Sequence, residues 1–81
     1  MEIIRTEGCV VSGTTIDGIN IDDISNDTRK EISDWLYKQL IESPELFNCL
    51  VNDLLDTLGE SEYLYTCEQC GDDVIETKLV I

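Results

Sequence analysis

The chain has 81 residues, with 18 Asp and Glu against five Lys and Arg, a formal charge of −13 and a pI near 4.1. That length fits one domain and excludes two, and 42% hydrophobic residues allow a thin core and exclude wholesale disorder. The charge works against direct binding to nucleic acid or anionic membranes and favours encounter with basic protein surfaces. No run of 18 apolar residues occurs and no segment reads as an export signal, which predicts a cytoplasmic chain with reduced thiols.

The first quarter reads as strands. Ile3, Ile4, Val10, Val11, Ile16, Ile19 and Ile21 are β-branched, and Gly8, Gly13 and Gly18 punctuate them. Asp17-Gly18 between Thr14-Thr15-Ile16 and Ile19-Asn20-Ile21 is a two-residue hairpin signal of the type I′ kind. Glu7-Gly8 is a weaker turn of the same kind.

A first helix is predicted to begin near Thr28, with Thr28 and Glu31 as a capping box. Ile32, Trp35, Leu36 and Leu40 fall on one face, and Lys30, Asp34, Lys38 and Glu42 form a self-neutralising ladder on the other. Ser43-Pro44 reads as N-cap and first position of a second helix. Its apolar stripe is Phe47, Leu50, Val51, Leu54 and Leu58, and Gly59 closes it. Glu45, Asp53 and Asp56 lie close to one line on the other side, with Cys49 among them and no cation on the helix to pair with.

Residues 62 to 81 read as a hairpin. Tyr63-Leu64-Tyr65 enters, Cys67 to Asp72 turns, and Val74 to Ile81 returns. The expected fold is α+β, in the order β-β-α-α-β-β. Strands from both ends of the chain form one antiparallel sheet, with the two helices packed on one face.

Cys67-x-x-Cys70-Gly71 is the sharpest chemical motif, and it resembles the knuckle of zinc ribbons and rubredoxins. The resemblance implies two thiolates aimed to one side, with glycine turning the backbone beneath a metal. It covers only the end of the chain, and a structural zinc site takes four ligands where this knuckle supplies two. Cys9 is the candidate third ligand, whereas helical spacing puts Cys49 on a polar helix face. Zinc held within one chain, zinc shared by a homodimer through Cys67 and Cys70, and free thiols without any cofactor all fit the spacing. A catalytic redox pair fits less well, because Glu68, Asp72 and Asp73 work against the thiolate that such chemistry uses.

Asp17, Asn20, Asp22 and Asp23 fail the calcium-loop pattern, since Gly18 comes too early and isoleucines take the alternate positions. The chain has no histidine, and no nucleophile, base and orienting group can be assembled, which points away from an enzyme. Residues 39 to 77 hold ten acids and no Lys or Arg. Acids four apart on a helix stand roughly 6 Å apart and can imitate a row of phosphates.

The first expectation is therefore an interaction module for a basic protein surface. Its binding candidates are Glu45, Asp53, Asp56, Glu60, Glu62, Tyr63 and Tyr65. The second is a structural zinc-knuckle protein using Cys67, Cys70 and Cys9. Glu7-Gly8-Cys9-Val10-Val11 and the Cys67 to Asp72 turn also give the chain a layout that resembles short uncharacterised phage and prophage accessory proteins. That resemblance implies a mobile-element origin and no activity, and the acidic second half of the chain suits a host protein of the nucleic-acid-binding kind as the basic partner.

Overall fold

The computed structural model describes residues 1–9, 13–37 and 42–81. In β1 (Glu2–Glu7) Ile3 is buried, Glu2, Ile4, Arg5 and Thr6 are half-buried, and Glu7 is exposed. β2 (Gly13–Ile16) and β3 (Ile19–Asn20) meet at Asp17-Gly18, whose φ angles of 48° and 83° are the positive pair that a type I′ turn requires. The Asp17 side chain also accepts from the Glu2 amide at 2.7 Å, tying this turn to the start of β1.

Ile21 does not extend β3 as the sequence suggested. Asn20 accepts from the Asp22 amide at 2.9 Å and turns the chain into a short 3-10 segment, Ile21–Asp23, which sends Ile21 and Ile24 into the core.

α1 runs over Asn26–Tyr37 and therefore starts before the expected Thr28. The cap is Ser25, whose hydroxyl accepts from the Thr28 amide at 3.3 Å and donates to the Thr28 hydroxyl at 2.9 Å. Arg29, 7% exposed, reaches back from the first turn to donate to the Ile21 carbonyl at 2.8 Å. Val10, Val11, Lys38 and Leu40 lie outside the described residues, and Asp34 is exposed on α1. Glu42 lies outside α1, so its approach to within 3.7 Å of Lys30 Nζ is not the four-apart ladder on one helix face that the sequence suggested.

α2 spans Pro44–Leu58, with Pro44 at its start as expected and Ser43 at the N-cap position, where its side chain makes no capping hydrogen bond. Gly59 ends it with its amide on the Leu55 carbonyl at 2.9 Å. Its φ of −73° shows that glycine is not needed here for a left-handed cap. It is needed for space, because a Cβ would collide with the Leu55 carbonyl and stand 2.8 Å from Thr77 Cγ2.

β4 (Glu60–Thr66) and β5 (Asp73–Val80) complete a five-stranded antiparallel sheet in the order β3-β2-β1-β5-β4. This is the expected α+β arrangement, with one strand more than the minimal pattern. The central ladder joins the two ends of the chain, from Glu2↔Val80 to Glu7↔Ile75. Ile3 and Ile16 on one sheet face pack with Phe47, Val51 and Leu55 of α2 and with Ile21 and Ile24, while Ile32 and Leu36 of α1 close the flank. Gly59→Ala is expected to destabilise the fold by about 1–3 kcal/mol through overpacking, read as a lower midpoint in urea denaturation with an unchanged slope.

Candidate functional site

Cys67 and Cys70 sit on a closed turn. The Gly71 amide donates to the Cys67 carbonyl at 2.8 Å, the Cys67 amide donates to the Asp72 carbonyl at 2.8 Å, and Gly71 takes a φ of 75°. Only a residue without Cβ adopts that angle freely, so the Cys-x-x-Cys-Gly spacing has the backbone reason the motif implies. The two sulfurs stand 3.4 Å apart.

The third sulfur arrives from the other end of the sequence. The β1–β5 ladder ends at Glu7↔Ile75, and Gly8 then passes so close to β5 that a Cβ would lie 2.7 Å from Val74 Cγ2. That approach delivers Cys9 to the knuckle, in the bend after β1. The sulfurs of Cys9, Cys67 and Cys70 all lie within 4.8 Å of one another, with Cys9 and Cys70 in disulfide contact and Cys67 a free thiol. Cys49 is an exposed free thiol outside the group. A zinc ion with Zn–S bonds of about 2.3 Å holds its sulfurs roughly 3.8 Å apart. The cluster is therefore of the right size for a metal once the Cys9–Cys70 bond is reduced. As it stands, it is a disulfide with a third thiol beside it.

The predicted acidic residues divide into two groups. Glu45 and Asp53 are exposed on α2. Asp56 is not unpaired, because Arg5 of β1 donates to it at 2.6 Å and to Asn52 at 3.2 Å, with Arg5 Nε also 3.0 Å from Glu7. The acidic tract contains no cation, but the sheet beneath it supplies one. Pairwise sequence spacing along α2 gave no sign of this, since Arg5 lies 51 positions away.

Glu60 and Glu62 lie on β4, an edge strand exposed along its whole length. Glu60 opposes Lys78, and Glu62 opposes Glu76. Lys78 is itself 3.1 Å from Glu2. Tyr63 opposes Ile75 and Tyr65 opposes Val74, so Leu64 is an extra residue in a bulge. Tyr63, Leu64 and Tyr65 are 57%, 42% and 49% exposed, an apolar group that α2 does not cover. The Tyr63 hydroxyl meets Thr66 Oγ1 at 2.5 Å, and Thr66 donates to Asp73 at 2.9 Å, which fixes the ring beside the knuckle. An open groove along this hairpin is lined by Leu58, Glu60, Glu62, Glu76, Lys78 and Val80 among others.

Among the described residues, no helix is long and apolar enough to cross a membrane. No family model, curated protein or solved structure matches the chain.

The two α2 acids should respond differently to reversal. Asp53→Lys is expected to leave the melting temperature nearly unchanged. Asp56→Lys is expected to cost about 1–3 kcal/mol, because Arg5 is left half-buried beside a like charge. Thermal melts of both variants followed by circular dichroism check this.

Proposed function

We propose that the chain is a small docking module in which a thiolate knuckle fixes the hairpin that meets a protein partner. The observation that carries this reading is the convergence of three cysteine sulfurs, from positions 9, 67 and 70, within 4.8 Å. In reduced protein, Cys9, Cys67 and Cys70 supply three thiolates for a zinc ion, whose fourth position is left to water or to a partner. Three thiolates and no histidine suit a soft or borderline cation better than magnesium or calcium. The role of such an ion is structural, holding the end of β1 against the β4–β5 turn. A reducing compartment such as the cytoplasm favours this form, and an oxidising one favours the Cys9–Cys70 disulfide.

The partner side of the reading rests on charge and on exposed apolar surface. A protein with a basic surface, of the kind that a host nucleic-acid-binding protein presents, suits a chain of charge −13 with Tyr63, Leu64 and Tyr65 uncovered. Binding and not catalysis is the proposed role. A phage-type accessory function is consistent with it.

The test is metal stoichiometry on protein reduced with a phosphine and purified without chelator. About one zinc per chain is expected for a three-thiolate site held within one chain. Cys9→Ser, Cys67→Ser and Cys70→Ser should each lose most of it, and Cys49→Ser should keep it. EDTA should lower the melting temperature of the reduced chain, because metal binding is coupled to folding. Metal-free chains in native mass spectrometry, together with an unchanged melt for the Cys67→Ser/Cys70→Ser double variant, would rule the knuckle out.

A further inference from the structure

We infer that β4 is a strand-addition site, and that its occupant is an extended basic segment with Lys or Arg at alternate positions. The proposal deepens the docking half of the proposed function and does not depend on zinc.

β4 is seven residues long, stands at the edge of the sheet and is exposed throughout. The other edge strand, β3, has two residues and offers little to pair with. An open edge of that length presents a row of free backbone donors and acceptors. Many edge strands are blunted by Lys or Pro, and β4 contains neither. Its bulge at Leu64 confines regular pairing to residues 60–63.

The two faces of that stretch differ. Register puts Ser61 and Tyr63 on the side of Ile3 and the helices, where Ser61 and Thr77 share a hydrogen bond of 2.9 Å. Glu60 and Glu62 lie on the open side with Glu76 and Lys78. Lys78 is the single cation on that side of the hairpin and is paired with Glu2, so Glu62 and Glu76 face each other as like charges. Like charges directly opposite destabilise a ladder. A sixth strand that placed a cation beside Glu62 would relieve this repulsion, and its intervening residues would meet Tyr63 and the exposed Leu58. A second copy of the chain would bring Glu60 and Glu62 of its own and no β4 cation, so charge selects a basic partner over self-pairing.

The probe is a capped Lys-Val-Lys-Val-Lys-Val peptide, compared with its Glu-Val counterpart. The readouts are titration at several salt concentrations and amide exchange. The Lys-Val peptide should bind, slow exchange at residues 60–63 and lose affinity as salt rises. The Glu-Val peptide should not bind. Glu62→Lys should weaken binding about tenfold while raising the melting temperature by roughly 2–5 °C, because the Glu62–Glu76 repulsion becomes an attraction. Asp34→Lys should change binding far less. Opposite signs for binding and stability in one variant separate the proposal from simple misfolding.

Equal binding of both peptides, or protection centred on Glu45 and Asp53 of α2, would overturn strand addition. So would wild-type affinity in Glu62→Lys, or a dimer with residues 60–63 already protected before peptide is added. Zinc content measured on the same samples reports the knuckle separately. A metal-free chain that still binds the peptide at β4 refutes the knuckle alone.

Discussion

The antiparallel ladder between β1 and β5 pairs Glu2 with Val80 and Glu7 with Ile75, so the sheet is closed by strands from the two ends of the sequence. Each later feature of the molecule is positioned by that pairing. Its face toward α2 carries Ile3, on which Phe47, Val51 and Leu55 converge. Its far end carries Gly8, whose missing side chain allows contact with Val74 and delivers Cys9 to the hairpin turn. A bond among Cys9, Cys67 and Cys70, through sulfur or through a metal, therefore ties segments that the folded sheet already holds together. Such a tie acts on the unfolded chain, by limiting how far residues 9 and 70 can separate. In a domain of this size, with a thin core, that is a substantial contribution.

What could be read from sequence was whatever has a local cause. Asp17-Gly18 was legible because only certain residues tolerate two consecutive positive φ angles. Ser43-Pro44 was legible because proline fits the first position of a helix. Cys67-x-x-Cys70-Gly71 was legible because its glycine turns the backbone within five residues. The start of α1 was misplaced because Asp22 to Thr28 holds several residues able to cap, and the choice of Ser25 follows from the 3-10 turn before it. The closing role of Gly59 was legible, but its cause was not. That cause is the Leu55 carbonyl, the tighter contact, together with Thr77, eighteen positions further on in β5. The same limit hid the partner of Asp56, because an acidic helix face reads as unpaired until the strand beneath it is known.

The few cations show where the acidity is left over. Arg5 is engaged with Asp56, Asn52 and Glu7, and Arg29 is buried against the Ile21 carbonyl. Lys30 meets Glu42, and Lys78 meets Glu2. Four of the five basic residues in the sequence thus have partners within the fold, two of them in the exposed pairs Lys30–Glu42 and Lys78–Glu2. Counted residue by residue, the charge of −13 looks spread over the whole surface. The pairing partners redistribute it, so that Arg5 partly compensates α2 from beneath, while Lys78, opposite Glu60 and paired with Glu2, leaves Glu62 and Glu76 facing each other on the hairpin.

For the proposed docking role, that redistribution changes which acids are the candidates. A helix face of evenly spaced carboxylates offers a partner only a field, and a field is screened within roughly 10 Å at 0.1 M salt. The hairpin offers the same sign of charge together with an unpaired backbone edge and two tyrosines, all within a stretch of seven residues. Backbone pairing fixes direction and register, aromatic contact adds affinity, and charge selects the partner and speeds its arrival. The knuckle lies at one end of this strand and the end of α2 at the other, through Gly59. The edge is therefore held at both ends while its length stays open, which is the condition an added strand requires.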